Sequence, residues 1–197
     1  MGKIQILTKE QQIILDEVAN NVFLRSHFYL TGGTALAAFY LNHRYSDDLD
    51  FFSKQRFDNE VILTLISELS QKYHFTFTSR FVEVVYIFQL TFANKSILKL
   101  DFAVYPYKKL EEEQNINGVH VDSLTDIAVN KLFVISQRND VKDFVDLYFL
   151  LQQFNMWDLF HGVKLKFNQE VEPMFLSADF LKVEDFEYLP KMVKPKH

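Results

Sequence analysis

Apolar residues along this chain follow two spacings, one helical and one alternating, and they divide it into successive elements. Residues 8–27 read as an amphipathic helix, with Thr8 as N-cap and Gln11 three positions later completing a capping box. Residues 28–31 form a short buried strand, 33–42 a helix without breakers, and 48–53 a second strand. Residues 59–72 predict a helix with Val61, Ile62, Leu65, Ile66 and Leu69 on one face. Three β-rich runs follow at 75–81, 83–93 and 96–105, with Asn94-Lys95 as a hairpin turn and Pro106 as the stop. Residues 108–118 are charged and loop-like, and 119–122 make a short strand. Ser123 caps a helix to about 137 and Asp140 another to about 153, with smaller helices near 155–161 and 178–187. Strands and helices mix without strict βα alternation. That predicts an α+β fold with a mixed, largely antiparallel sheet and C-terminal helices. The expected division is a core over 1–107 and a helical part over 108–197 packed on it as one compact unit.

Candidate chemistry begins at Asp48-Leu49-Asp50. Two residues apart on a strand, the carboxylates share a face while Leu49 points to the core. Like charges that close repel unless a cation neutralises them, and hard carboxylate oxygens suit Mg²⁺ with substrate phosphates as its other ligands. The plainer alternative is a polar turn, Tyr45-Ser46-Asp47-Asp48, with Ser46 as its cap. Upstream, a strand, Gly32-Gly33-Thr34 and a helix start make a phosphate cradle, since glycine admits close backbone approach and a helix N-terminus favours anions. Asp101 lies inside the apolar run Lys99-Leu100-Asp101-Phe102-Ala103-Val104, where a buried charge needs a partner or a metal. Lys131 sits on an otherwise apolar helix and on that pattern would reach to solvent. Asp143 and Asp146 share a helix face. They are either a solvated acidic face with charges that suit the helix dipole, or acceptors that orient Lys131, Lys142 or Arg138, or groups that contact nucleotide. His43 and Arg44 are near enough to the aspartate pair to reach phosphates, and His43 is equally a loop residue.

These motifs, Leu30-Thr31-Gly32-Gly33-Thr34-Ala35-Leu36 with His43 to Phe52, then Lys99-Leu100-Asp101-Phe102, then Asp126 to Lys131, Arg138 and Lys142-Asp143-Phe144-Val145-Asp146-Leu147-Tyr148, resemble in kind and order those of the AbiEii/AbiGii-type nucleotidyltransferase toxins of the DNA polymerase β-like superfamily. The resemblance covers roughly residues 28–151. It implies a polymerase β-like nucleotidyltransferase core in which Asp48, Asp50 and Asp101 are catalytic metal ligands for Mg²⁺ or Mn²⁺. It implies that Gly32, Gly33 and Thr34 hold the phosphates of a nucleoside triphosphate. It also implies that Lys131 and Arg138 bind triphosphate and stabilise its transition-state charge, with Asp143 and Asp146 in support. Ser46, in relatives with a Ser-x-Asp-x-Asp pattern, is a residue that a kinase-like antitoxin can modify. The implied activity moves a nucleoside monophosphate onto an acceptor hydroxyl, RNA such as a tRNA 3′ end being favoured, in a toxin–antitoxin or abortive-infection system with a cognate antitoxin. Members of the family are often longer, which leaves the acceptor less determined than the chemistry. Small-molecule (antibiotic) nucleotidyl transfer shares the same site, and a non-catalytic nucleotide-binding interaction module is the reading from a different class. The three aspartates and Lys131 together weigh against the latter.

Composition changes the picture little. With 197 residues, 48% of them hydrophobic and 21 of them Phe, the chain can bury a substantial core. The absence of cysteine excludes disulfides and thiolate metal sites. No apolar run is long enough to span a bilayer and no signal peptide is legible at Met1-Gly2-Lys3-Ile4, so the expected location is cytoplasmic, with no membrane partner. A net charge of −5 argues against passive coating of nucleic acid and leaves room for a local basic patch.

Overall fold

Thr8 caps the first helix, α1 (Lys9–Asn20), reciprocally: its hydroxyl accepts from the Gln11 N–H at 3.1 Å, and Gln11 Oε1 accepts from the Thr8 N–H at 3.0 Å. The single helix expected over 8–27 is broken at Asn21, whose side chain accepts from the Leu24 N–H and starts α2 (Val22–His27). A short amide side chain offers the backbone an alternative to the helical ladder, and the break falls there. The computed structural model describes residues 6–193; Met1 to Ile4, which carry no legible signal peptide in the sequence, lie outside the described residues.

After α2 come β1 (Tyr29–Thr31), a helical turn α3 (Gly32–Ala35) that widens into a π-helical stretch over Leu36–Leu41, and β2 (Asp48–Ser53). Then follow α4 (Asn59–Tyr73), β3 (Thr76–Val82), β4 (Val85–Thr91), β5 (Ile97–Val104), β6 (Gln114–Ile116) and β7 (Val119–Val121). The helices α5 (Leu124–Ile135), α6 (Val141–Leu150), α7 (Met156–Phe167) and α8 (Pro173–Leu181) complete the order. The strands form one sheet in the order β3-β4-β5-β2-β1-β7-β6. The β1–β7 and β2–β5 contacts are parallel and the other four antiparallel, so the fold is α+β with a mixed, largely antiparallel sheet.

Two further expectations differ from the structure. Residues 114–116, read as loop, form edge strand β6, which turns into β7 through Asn117 (φ 52°) and Gly118 (φ 87°). An Asn-Gly pair between short apolar positions is a strong hairpin signal, and the charge around it masked the signal. The last helices also run differently than expected: α7 extends beyond 161 to Phe167, and α8 begins earlier, at Pro173, and ends at Leu181.

One face of the sheet is core. Leu49 and Phe51 on β2, Leu98, Leu100 and Phe102 on β5, and Phe88 and Leu90 on β4 are buried, in one cluster with Ile14, Leu15 and Val18 of α1 and Ile62 and Ile66 of α4. The residues that alternate with them face the other way, and on that face the polar side chains collect. Among the described residues no helix is long and apolar enough to cross a membrane.

Candidate active site

Asp48 and Asp50 project from the same side of β2, each flanked by a buried residue. Because β2 pairs in parallel with β5, Asp50 lies directly beside Asp101 and Asp48 beside Lys99. Lys99 was not among the sequence candidates. Its Nζ donates to Asp101 Oδ2 at 2.6 Å, while Asp101 Oδ1 is buried and has no hydrogen-bond partner among the described residues. Burial pushes the Asp50 carboxyl up to about 6, and the neighbouring Asp101 and Asp48 carboxylates add to it. Burial raises Asp48 as well, opposed by Lys99 and Lys142. A carboxylate face with one unpartnered oxygen and mutual repulsion suits a divalent cation. Among the described residues no three His, Asp or Glu groups close into a cage by themselves; Mg²⁺ is commonly held by one or two carboxylates, with water and substrate phosphates supplying the rest.

The glycine turn meets this face. Gly32 has φ +74°, and a Cβ there would collide with the Asp50 carboxylate, so only glycine lets the chain pass. Gly33 lies against the Arg44 guanidinium and the Ser46 hydroxyl in the same way. Thr34 is buried and its hydroxyl donates to the Asp48 carbonyl, which leaves its side chain outside the cleft and fastens the helix start to β2. The Ser46 carbonyl accepts from Gln11 Nε2 at 2.8 Å, so α1 anchors the loop before β2.

Helices α5 and α6 bring the cations. Lys131 does not reach to solvent: it is buried, with Nζ 2.7 Å from both Asp143 Oδ1 and Asp146 Oδ2. Burial disfavours its charge, but the two carboxylates outweigh that and raise its pKa. Nor do Asp143 and Asp146 form a solvated face; both are fully buried. Asp143 accepts from Arg138 Nε at 2.6 Å and Nη2 at 3.0 Å. Asp146 takes a bidentate bond from Arg44 (Nε 2.7 Å, Nη2 2.8 Å) and one from His43 Nε2 at 2.6 Å. Burial opposes the charge of Asp146, yet Lys131, Arg44 and His43 hold its carboxyl well below the usual range. His43 and Arg44 are thus buried partners of Asp146 and do not reach into the cleft, contrary to the possibility raised by their position in sequence.

Gly32, Gly33, Asp50, Lys131 and Arg138 line one cleft of about 180 Å³, and Thr31, Phe52, Tyr105, Ile127, Asn130 and Val134 line the rest. Its walls therefore combine anion-binding groups with an apolar, aromatic part. Phe52 and Tyr105 lie 4.6 Å apart, and the Tyr105 hydroxyl donates to Asn130 Oδ1 at 3.2 Å. These residues escaped the sequence reading, although Ile127, Asn130, Lys131, Val134 and Arg138 recur at helical spacing and could have been read as one face. Asp48 and Asp101 flank the cleft on the sheet. Asp126, prominent in the sequence motif, is structural: it accepts from the Leu110 and Glu111 N–H groups, Ser123 Oγ and Lys166 Nζ, tying loop, α5 and α7 together.

A family model described as the nucleotidyl transferase AbiEii toxin of type IV toxin–antitoxin systems matches residues 13–169. An uncharacterized protein of Aquifex aeolicus (strain VF5) is 36% identical over 182 residues, which cover 88% of this chain and 78% of that protein. Among solved structures, JHP933 from Helicobacter pylori aligns with a TM-score of 0.55 at 21% identity, covering 96% of this chain and 84% of that one, a likeness of fold.

Proposed function

Because the chain belongs to the AbiEii family of nucleotidyl transferase toxins, we propose that it moves a nucleoside monophosphate from a nucleoside triphosphate to a hydroxyl of RNA. The observation that carries this reading is the convergence of a glycine turn, Asp50, Lys131 and Arg138 on a single cleft beside Asp48 and Asp101. Anion-binding backbone and two cations at one part of the cleft suit a triphosphate. The aromatic part suits a nucleoside, with Phe52 and Tyr105 as apolar surface and Asn130 as a polar contact.

In the proposed reaction the acceptor oxygen forms the new bond to the α-phosphorus. The bond from that phosphorus to the α–β bridging oxygen breaks, and pyrophosphate leaves. The hydroxyl proton is taken at Asp101 Oδ1, the oxygen that Lys99 leaves free. Lys131 and Arg138 stabilise charge that grows on the triphosphate, and Asp143 and Asp146 keep both cations in place. A divalent cation held by Asp48 and Asp50, beside Asp101, would supply charge neutralisation and polarise phosphate oxygens. The family's description as a type IV toxin–antitoxin toxin supports a cognate antitoxin as partner, and the proposed RNA and triphosphate substrates are in keeping with work in the cytoplasm.

The test is incubation with each α-³²P-labelled nucleoside triphosphate, Mg²⁺ and total cellular RNA, beside Asp48→Ala. Label entering RNA with the wild type alone supports the reading. Label entering protein or small molecules keeps the chemistry and rejects RNA as acceptor. Full activity in Asp48→Ala removes the metal assignment.

A further inference from the structure

A second concavity lies on the same face of the sheet as the aspartates, toward the β3 edge. It is lined by Thr78, Ser79, Arg80, Ile87, Gln89 and Lys99, with a volume of about 340 Å³. Strand register explains its relation to the site. Thr78, Gln89, Lys99 and Asp48 are successive cross-strand neighbours on β3, β4, β5 and β2, and Arg80, Ile87, Asp101 and Asp50 form the next row. Two rows of side chains therefore lead from the sheet edge to the carboxylates, and Lys99 both lines the groove and bonds Asp101. On the opposite face of β3, Phe77 and the half-exposed Phe81 lie against the core-side rings of Phe88 and Tyr86. On the groove side Thr78, Arg80 and Gln89 are exposed. Arg80 makes no hydrogen bond or ion pair among the described residues, so its guanidinium is available to an anion.

We infer that this groove holds the acceptor RNA strand, with Arg80 and Lys99 on its phosphates and its terminal hydroxyl brought to Asp101 from the β5 side. The inference rests on the nucleotidyl-transfer reading above. The triphosphate cleft opens beside Asp50 toward α5, whereas the groove approaches Asp101 across β4 and β5. Two substrates must meet at the carboxylates from different directions, and the two cavities supply them. A polyanion needs cations that are not already neutralised, with hydrogen-bonding side chains between them. Arg80, Thr78 and Gln89 meet that need at the outer part of the groove, while the Ser79 hydroxyl accepts from Tyr86 on the other face of β3. Lys99 exchanges Asp101 Oδ2 for a phosphate only when the acceptor arrives.

The test uses the full chain with a short fluorescein-labelled single-stranded oligoribonucleotide, read by fluorescence polarisation, together with steady-state transfer. Arg80 is exposed on an edge strand, so Arg80→Gln and Arg80→Glu are expected to fold. Arg80→Gln should weaken oligoribonucleotide binding several-fold and reduce the dependence of log K on log salt by about 0.7, the loss of one phosphate contact on a single strand. Arg80→Glu should weaken it further. KM for RNA should rise while KM for the nucleoside triphosphate and the affinity for it stay unchanged. Wild-type affinity, salt slope and KM for RNA in both variants would overturn the groove while leaving nucleotidyl transfer intact. Wild-type protein that labels protein or a small molecule and does not bind the oligoribonucleotide would overturn both the RNA acceptor and the groove.

Discussion

At the scale of single residues, charge and burial decide what each group can do. Asp50 is held near 6 by burial and by Asp101 and Asp48. A carboxyl whose folded pKa lies above its unfolded value of 3.8 favours the fold below that value, and the advantage is lost as pH rises through about 6. Asp50→Asn, which keeps the shape and removes the charge, should therefore stabilise the metal-free protein at neutral pH. The gain should vanish below pH 4, read by urea denaturation with chelator at both pH values. Equal stability of the two proteins at neutral pH would mean that repulsion does not act there. Asp146 behaves in the opposite way. It is the common partner of Lys131, Arg44 and His43, all buried, so Asp146→Ala strands cations in the interior and should cost about 3–5 kcal/mol. Inactivity of that variant would report on folding. Arg138 is the cleaner probe of triphosphate binding, since its side chain is 58% exposed. Arg138→Ala should weaken nucleoside triphosphate binding about tenfold or more, by calorimetry, with little change in melting temperature.

At the scale of elements, the strand–turn–helix from β1 into α3 sets the position of the carboxylates. Gly32 at φ +74° brings backbone against Asp50. Gly32→Ala would meet both a left-handed conformation, at roughly 1–2 kcal/mol, and the Asp50 side chain. The expected outcome is a folded protein with transfer activity lost, checked by circular dichroism beside the labelling assay; retained activity would show that the turn can move away. Much of this element was legible beforehand, because a glycine turn between a strand and a helix, weak by itself, is followed by a carboxylate pair on the next strand. The same holds for Thr8, Ser123 and Asp140, which cap α1, α5 and α6 as their residue types predict. The break at Asn21 and the strand β6 were not legible, since each depends on a local competition that neighbouring residues tip.

At the scale of the whole molecule, the parts are joined through one sheet. β7, which lies beyond residue 107, pairs with β1 in its interior, and Asp122 at its end receives the Thr31 hydroxyl at 2.9 Å and Lys109 Nζ at 3.3 Å. We therefore expect residues 1–107 and 108–197 to unfold together, as a single calorimetric transition, and a fragment ending at 107 not to fold. Two resolved transitions would divide the chain. By itself the sequence determined most of the element types, the α+β class, the glycine turn and the pair Asp48 and Asp50, because period, capping and turn chemistry are local. It also supplied the motif order that pointed to the family. Only the tertiary structure decided that β5 lies parallel beside β2, which sets Asp101 against Asp50 and Lys99 against Asp48. Only it decided that His43, Arg44, Lys131, Asp143 and Asp146 form one buried network. Strand order and ion pairing join residues far apart in the chain, and long-range neighbours leave no period in the sequence to read.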